Sequence, residues 1–238
     1  MQNTLWFDSD GFRLHGTLHL PAIANPPVVI GSHGLLSTGD SPKQIALAEA
    51  CVRRGMAYFR YDHRGCGRSE GAFATVTTFE GRCRDLLNAA TFLKNDPRVS
   101  SSIALFGSSF GGAISLAMAH RLSPAAIVTV AAPIFSASIK DPYVNDPANL
   151  PRVHSLDRDA LFFDLRDQIS TIRNILIFHG DADPIVPFEN AEILYQTASP
   201  PKQLVRQTNG DHPMSDPVHQ AEFMELAVAW FEKYFQNV

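Results

Sequence analysis

The sequence contains few cysteines and no concentrated block of basic residues. Its three cysteines, Cys51, Cys66 and Cys83, are an odd number and include no Cys-x-x-Cys pair. That usage fits reduced thiols better than a disulfide framework. The 20 lysines and arginines are scattered among 24 acidic residues, which gives a formal charge of −4. Because nucleic-acid binding usually needs a concentrated basic face, this balance argues against a nucleic-acid partner.

Long hydrophobic runs are missing as well. No stretch of about 18 apolar residues occurs, so we expect no membrane span and no membrane partner. The first residues, MQNTLWFDSDGFRLHG, lack a basic start followed by an apolar core, so we expect no secretory signal. Together with the cysteine usage, these absences predict a cytoplasmic protein.

The composition is that of an ordinary globular protein. The chain has 238 residues, of which 45% are hydrophobic and 18% are charged, and such fractions are typical of folded domains. A chain of this length can form one large core, although length alone leaves one or two domains open.

Strand and helix patterns alternate along most of the chain. The N-terminal residues predict two strands joined at Asp10-Gly11, a pair typical of tight hairpin turns. Beyond Pro27, apolar runs that suit strands buried on both faces alternate with helical patterns. The predicted strands are VVIGSHG, MAYFRYDHRG, SIALFGSS, AAIVTVAAP, NILIFHGDAD and KQLVRQT. This rhythm predicts an α/β fold with a mostly parallel central sheet and helices on both faces.

One segment interrupts the rhythm. Residues 133–173 contain several prolines and no convincing strand, and SLDRDALFFDLRDQI within them predicts a helix with an apolar face. Long insertions between sheet strands are often lids or binding loops. Because the segment is too short for an independent domain, we predict a single domain over residues 1–238 with 133–173 as a small lid.

The candidate catalytic residues follow the carboxyl ends of the predicted strands. Open α/β sheets bind their ligands at these ends. After SIALF comes Gly107-x-Ser109-x-Gly111, the nucleophile-elbow pattern in the strand–turn–helix context that it requires. The glycines make room for a tight turn, and the following helix directs its positive end towards the serine. The window favours Ser109 as a nucleophile, with a plain glycine-rich turn as the alternative and Ser108 as a neighbouring candidate.

Two further strand ends supply an acid and a base. HGDADPIVP follows NILIF and contains Asp181 and Asp183, and NGDHP follows KQLVRQT and contains His212. A serine hydroxyl is a weak nucleophile that needs a base to take its proton, and the base needs an acid to hold its tautomer. The order serine, acid, base along the chain matches the one that accompanies a nucleophile elbow.

With these residues in place, the sequence resembles the α/β-hydrolase-fold serine hydrolases. The matching pieces run from residue 32 to residue 214 and are SHGLLSTG, YDHRGCGRSEG, GSSFGG, HGDADPIVP and GDHPM. The resemblance extends to esterases of the cinnamoyl and feruloyl type, without a decisive motif for that type. It implies an α/β-hydrolase fold with a short lid and catalysis by a Ser-His-Asp triad.

The resemblance implies roles for the acid and the base. The aspartate of the family's His-Gly-x-x-Asp-x-x-Val-Pro pattern is Asp183 here, and the histidine of the last loop is His212. Asp181 is the competing carboxylate and is expected to cap the loop. His219, seven residues after His212, is the competing base and falls in the final predicted helix.

The resemblance also implies an oxyanion hole made of two backbone N–H groups. One belongs to Phe110, directly after the nucleophile, and the other to Leu35 in the loop after VVIGSHG. His33 is expected to support that loop rather than to carry a proton. Three residues of the DHRGCGRSEG segment are expected to hold loops together near the site: Asp62, Arg64 and Ser69.

Position along the chain predicts an apolar substrate pocket. The predicted substrate-binding side chains are those of Leu36, Phe135, Phe162 and Phe163, together with Leu35 and Phe110. For Phe162 and Phe163, the alternative is that they pack the lid onto the core.

These observations predict a serine hydrolase that cleaves a small-molecule carboxylic ester through an acyl-enzyme, with no cofactor and no metal. A thioesterase or an acyltransferase with the same triad remains an open alternative. A peptidase of the prolyl-oligopeptidase type and a non-catalytic ligand-binding protein are less favoured, the latter because a pure binder needs no intact triad.

Overall fold

A computed structural model describes residues 1–140 and 149–236 of the chain and contains an eight-stranded sheet. The strands are β1 (Gln2–Ser9), β2 (Phe12–His19), β3 (Val28–Ser32), β4 (Ala57–Tyr61), β5 (Ile103–Ser108), β6 (Ile127–Val130), β7 (Ile175–Gly180) and β8 (Lys202–Gln207). Their order across the sheet is β1-β2-β4-β3-β5-β6-β7-β8. Strands β4 to β8 and β3 run parallel to one another, whereas β2 is antiparallel to both of its neighbours. The predicted, mostly parallel sheet is confirmed.

The N-terminal hairpin forms where the sequence predicts it. Asp10 and Gly11 connect β1 to β2, and both have positive φ angles, 54° and 85°. Positive φ at both central residues is the geometry of the two-residue turn that matches the twist of paired strands.

Helices cover both faces of the sheet, as the strand–helix rhythm predicts. They are α1 (Pro42–Arg53), α2 (Phe73–Val76), α3 (Phe79–Lys94), α4 (Phe110–Leu122), α5 (Leu150–His154), α6 (Glu189–Thr197) and α7 (Pro217–Phe235). Helices α1 and α7 bury apolar residues against one face, and α3, α4 and α6 against the other. The chain is therefore an α/β protein with a core on each side of its sheet. None of the helices in 1–140 or 149–236 is long and apolar enough to cross a membrane.

The segment between β6 and β7 differs from its prediction. SLDRDALFFDLRDQI does not form an α-helix: Asp159–Leu161 make a short 3-10 turn, residues 162–165 are irregular and contain one bridge to Phe135, and a turn then leads into a second 3-10 turn at Ile169–Thr171. Its backbone pairs with residues 134–136, because the N–H of Leu165 donates to Ile134 and that of Ser136 to Phe163. Hydrogen bonds to a neighbouring segment thus replace those of a helix. Residues 141–148 of the predicted lid lie outside the described residues.

Candidate active site

Ser109 stands between the end of β5 and the start of α4. Its φ of 54° and ψ of −124° are strained for a residue with a side chain, and such strain is typical of functional turns. The turn is crowded, since a Cβ on Gly111 would collide with the carbonyl oxygen of Ser32 and one on Gly107 with that of Gly111. The spacing of glycines around the serine therefore follows from close backbone contact.

His212 links Ser109 to Asp183 through two hydrogen bonds. Its Nε2 lies 3.0 Å from Ser109 Oγ, and its Nδ1 lies 2.7 Å from Asp183 Oδ2. A carboxylate only accepts, so the imidazole proton sits on Nδ1 and the Nε2 lone pair faces the serine hydroxyl. This tautomer is the one in which a histidine can take a proton from the serine.

The carboxylate of Asp183 is held in its charged form by several donors. Its Oδ1 accepts from the backbone N–H groups of Ile185 at 2.8 Å and Val186 at 2.9 Å. Burial by itself would raise the pKa of Asp183, but hydrogen bonds from His179, His212 and Val186 outweigh it, and the pKa lies well below its usual value. The acid is therefore ionised throughout the neutral range and can orient a histidine cation.

The loops that carry the acid and the base follow neighbouring parallel strands, β7 and β8. They are joined by backbone contacts, because the N–H of Ala182 donates to the Gly210 carbonyl and a Cβ on Gly180 would collide with that same carbonyl. The competing carboxylate, Asp181, accepts from Asn209 N at 2.6 Å and from Arg206 Nε at 2.9 Å. Asp181 thus ties the two loops together.

The loop after β3 passes beside Ser109. A Cβ on Gly34 would lie 3.6 Å from Ser109 Cβ. The N–H groups of Leu35 and Phe110 donate to no other residue in 1–140 or 149–236. The two N–H groups that the sequence predicts as oxyanion donors are thus without an acceptor among the described residues. One lies in the loop after β3 and the other at the start of α4, and both segments lie beside Ser109.

Arg82 of α3 fixes this loop by hydrogen bonds to its backbone carbonyls. It is fully buried, and its Nη2 donates to the Leu35 carbonyl at 2.9 Å while its Nη1 lies 3.3 Å from the Gly34 carbonyl. His33 Nδ1 donates to the Gly34 carbonyl at 2.8 Å, since its Nε2 accepts from His63 N. A trans peptide places its N–H opposite its carbonyl, so these contacts turn the Leu35 N–H away from Arg82.

The DHRGCGRSEG segment joins neighbouring loops by hydrogen bonds. Ser69 Oγ donates to the Asp62 carbonyl at 2.6 Å, and Asp62 Oδ1 accepts from Gly39 N at 2.8 Å. Arg64 Nε donates to the buried Asp85 at 2.9 Å. These contacts are those of a scaffold, and no group of His, Cys, Asp or Glu among the described residues is arranged to hold a metal ion.

A cavity of about 630 Å³ opens beside Ser109 and His212. One wall is formed by the loop after β3 and the first turns of α1, the other by residues after His212 and part of α7. Of the predicted pocket side chains, those of Leu35 and Leu36 line it, and those of Phe110, Phe135, Phe162 and Phe163 do not.

Phe135 and Phe163 pack with the core on the face of the sheet that α3, α4 and α6 cover, whereas the buried apolar side chains of the cavity wall belong to the other core. Phe162 is 68% exposed, whereas Phe163 is buried and stacks on Phe79 with ring centroids 4.4 Å apart. The Phe110 ring also packs against both Phe79 and Phe163. Phe163 therefore packs the lid onto the core, which was the alternative expectation for it.

Two polar side chains near the site, those of Gln44 and Arg82, are not among the residues predicted from the sequence. Gln44 is buried on the same face of α1 as Leu47, Ala48 and Cys51, and Arg82 shares the buried face of α3 with Leu86 and Ala89. A polar residue at a core position of an amphipathic helix is the signal that marks both.

Known proteins resemble the chain over most of its length. YfhR of Salmonella typhi, whose function is uncharacterised, is 28% identical over 85% of this chain and 71% of its own. The esterase domain of a Rhodothermus marinus protein has a TM-score of 0.72 and 27% identity, with 98% of each chain covered. Est1E of Butyrivibrio proteoclasticus, solved with ferulic acid bound, has a TM-score of 0.77 and 22% identity, also with 98% of each chain covered.

A family model provides the assignment. The model described as serine aminopeptidase, S33, matches residues 25–156, which include the β3 loop and the elbow. With the mostly parallel sheet, this match makes the protein a hydrolase of the α/β-hydrolase fold that belongs to the serine aminopeptidase S33 family.

Proposed function

We propose that the protein is a serine esterase that hydrolyses a small-molecule carboxylic ester through an acyl-enzyme intermediate. The observation that carries the proposal is the continuous chain of hydrogen bonds from Asp183 through His212 to Ser109, with distances of 2.7 and 3.0 Å. Ser109, at the end of these hydrogen bonds, lines a cavity large enough for a small organic substrate.

In the first half of the proposed reaction, the Ser109 hydroxyl attacks the ester carbonyl carbon while its proton passes to His212 Nε2. The carbonyl oxygen becomes negatively charged and accepts from the N–H groups of Leu35 and Phe110. Each donor aimed at that oxygen stabilises the intermediate by about 3 to 4 kcal/mol. The intermediate collapses as His212 returns the proton to the leaving alkoxide, which departs as an alcohol.

In the second half, water attacks the acyl carbonyl and gives its proton to His212. The oxyanion forms again in the same position. Its collapse breaks the bond to Ser109 Oγ, which regains a proton from His212, and the carboxylic acid leaves. Asp183 stabilises the histidine cation in both halves of the reaction and itself remains unprotonated.

An ester fits the cavity better than a peptide with a free amino terminus. An aminopeptidase holds a cationic amino group, for which a carboxylate is the natural partner. The described residues that line the cavity include Lys43 and neither an aspartate nor a glutamate. A cationic wall repels an ammonium group, so this charge distribution favours ester hydrolysis over amino-terminal peptide cleavage.

The test is hydrolysis of p-nitrophenyl esters from acetate to decanoate, with methyl ferulate beside them. Wild type is compared with Ser109→Ala and with Ser108→Ala, the matched change one residue away. We expect turnover to vanish in Ser109→Ala and to persist in Ser108→Ala, with circular dichroism showing that both variants fold. Inert wild type across the series, or activity retained in Ser109→Ala, overturns the proposal. Thioesters of the same acyl groups, assayed with and without alcohol acceptors, distinguish hydrolysis of esters from thioester cleavage and from acyl transfer.

A further inference from the structure

The cavity wall formed by α1 contains a lysine that makes no close ion pair with the described residues. Lys43 lines the cavity and makes no hydrogen bond or ion pair with any residue of 1–140 or 149–236. Burial lowers the pKa of Lys43 to about 8, and the charge of Asp211 opposes this shift without reversing it. The ammonium form thus persists at neutral pH in a place that disfavours it.

The next residue adds an unpaired donor to the same wall. Gln44 also lines the cavity and is only 1% exposed. Its Oε1 accepts from the hydroxyl of the buried Tyr58, and its Nε2 has no partner among the described residues. A buried polar group without a partner costs about 1 to 3 kcal/mol. The Nε2 atom itself is closed to solvent, so an acceptor in the cavity reaches it when the Gln44 amide turns towards that acceptor.

Lys43 and Gln44 line the same cavity as the reactive serine, so a hydrogen-bond acceptor for them can be part of a bound substrate. The cavity that contains Lys43 and Gln44 also contains Ser109 and His212. Apolar side chains of Leu36, Phe106, Met214, Phe223 and Met224 line the space that they share. A ligand that reaches from the reactive serine to the two donors must therefore combine an apolar middle with an anionic end.

We propose that Lys43 and Gln44 form a carboxylate-binding subsite, so that the preferred substrates are esters carrying a negatively charged carboxylate at a distance from the scissile bond. This inference rests on the proposed esterase function. A carboxylate has two oxygens and can accept from the Lys43 ammonium and the Gln44 amide at once. The described residues that line the cavity include no aspartate or glutamate, and Asp211, whose charge acts on Lys43, makes no hydrogen bond to it.

The experiment compares anionic substrates with neutral esters of the same shape. On the acyl side, p-nitrophenyl hydrogen adipate, suberate and sebacate are compared with their methyl esters. These chains are too long for the free carboxylate to attack its own ester efficiently. On the alcohol side, 4-acetoxybenzoate is compared with methyl 4-acetoxybenzoate. The measured quantity is the ratio of kcat/KM for the anionic substrate to kcat/KM for its neutral partner, and the side with the larger ratio identifies the portion that occupies the subsite.

The variants are Lys43→Met, which keeps an unbranched chain and removes the charge, and Lys94→Met, which removes a charge from the exposed end of α3. We expect the wild-type ratio to exceed one on one side. Lys43→Met should lower that ratio roughly 10- to 100-fold, the size of one hydrogen bond between charged groups. Lys94→Met should leave it unchanged. Gln44→Leu should lower the ratio less, because it removes a neutral donor.

The outcomes separate the subsite from the reaction. If wild type hydrolyses the neutral esters in a Ser109-dependent way but shows a ratio at or below one on both sides, the subsite is refuted and the esterase proposal stands. The subsite is also refuted if Lys43→Met lowers both kcat/KM values equally. If no ester of either kind is hydrolysed, the proposed function itself has failed.

Discussion

Replacing Asp183 by asparagine tests the acid without disturbing its shape. The backbone N–H groups of Ile185 and Val186 both donate to Oδ1 of Asp183, so the asparagine must present its oxygen to them. Its NH₂ group then occupies the Oδ2 position, 2.7 Å from His212 Nδ1. Two donors cannot face each other, and His212 must move its proton from Nδ1 to Nε2. An Nε2 that carries a proton cannot accept the one from Ser109.

The size of the effect follows from this inverted tautomer. We expect kcat for the best p-nitrophenyl ester to fall by about 10⁴-fold, or about 5.5 kcal/mol of transition-state stabilisation. KM should change little, because Asp183 lies behind His212 and lines no part of the cavity. The assay is steady-state hydrolysis, with the melting temperature of each variant measured alongside.

Asp181→Asn is the matched control for this change. Asp181 lies two residues away, is bound to Arg206 and to Asn209, and has no contact with His212. Asparagine keeps an oxygen for the Asn209 N–H and loses only the ion pair with the exposed Arg206 side chain, so we expect kcat to change by no more than about 3-fold. An Asp183→Asn enzyme within 10-fold of wild type, or an equal loss in Asp181→Asn, would refute the reasoning.

Two further predictions concern buried polar residues. Arg82→Lys keeps the charge but loses the guanidinium that contacts two backbone carbonyls. We expect kcat to fall roughly 10- to 100-fold with little change in KM, because the loosened Leu35 N–H acts on the oxyanion in the transition state. A rise in KM at constant kcat would contradict this. His63 is buried, which lowers its pKa to about 4, although the hydrogen bond that its Nδ1 donates to Asp85 opposes the shift. The unfolded chain therefore binds a proton that the folded chain does not as the pH falls from about 6.5 to 4, and the free energy of unfolding should drop by up to about 1.4 kcal/mol per pH unit from this group. Denaturant titrations should show a shallower pH slope for His63→Gln than for wild type, and identical slopes would count against the account.

Local patterns carry enough information for most of the sheet and for the elements around Ser109. Strands such as β5 are apolar throughout because parallel strands are covered on both faces, and helices such as α3 follow at the expected spacing. The elbow could be predicted because its serine and glycines stand at a fixed spacing within one short stretch, although the backbone that crowds Gly111 belongs to the distant Ser32. The fold class and the positions of the strand ends can therefore be predicted from local sequence patterns.

Contacts between distant segments explain what could not be predicted. Leu161 and Leu165 have helical spacing, yet this segment pairs its backbone with residues 134–136, and no periodicity reports a partner about thirty residues away. The side of the elbow on which the cavity opens was equally hidden. It depends on how α1 and α7 pack against the β3 loop, so the sequence could not decide whether Phe162 and Phe163 line the pocket or pack onto the core.

The two walls of the cavity differ in their freedom to change during evolution. Met214 and Ser215 line one wall and follow directly after His212, so a substitution there that admits a new substrate also shifts the general base. Ser41, Lys43 and Ala46 line the other wall on or beside α1, and none of the three makes a hydrogen bond to Asp183 or His212. Changes on that helix can alter what is bound while the reaction rate is preserved. Divergence in substrate preference among related enzymes should therefore accumulate first in the opening turns of α1.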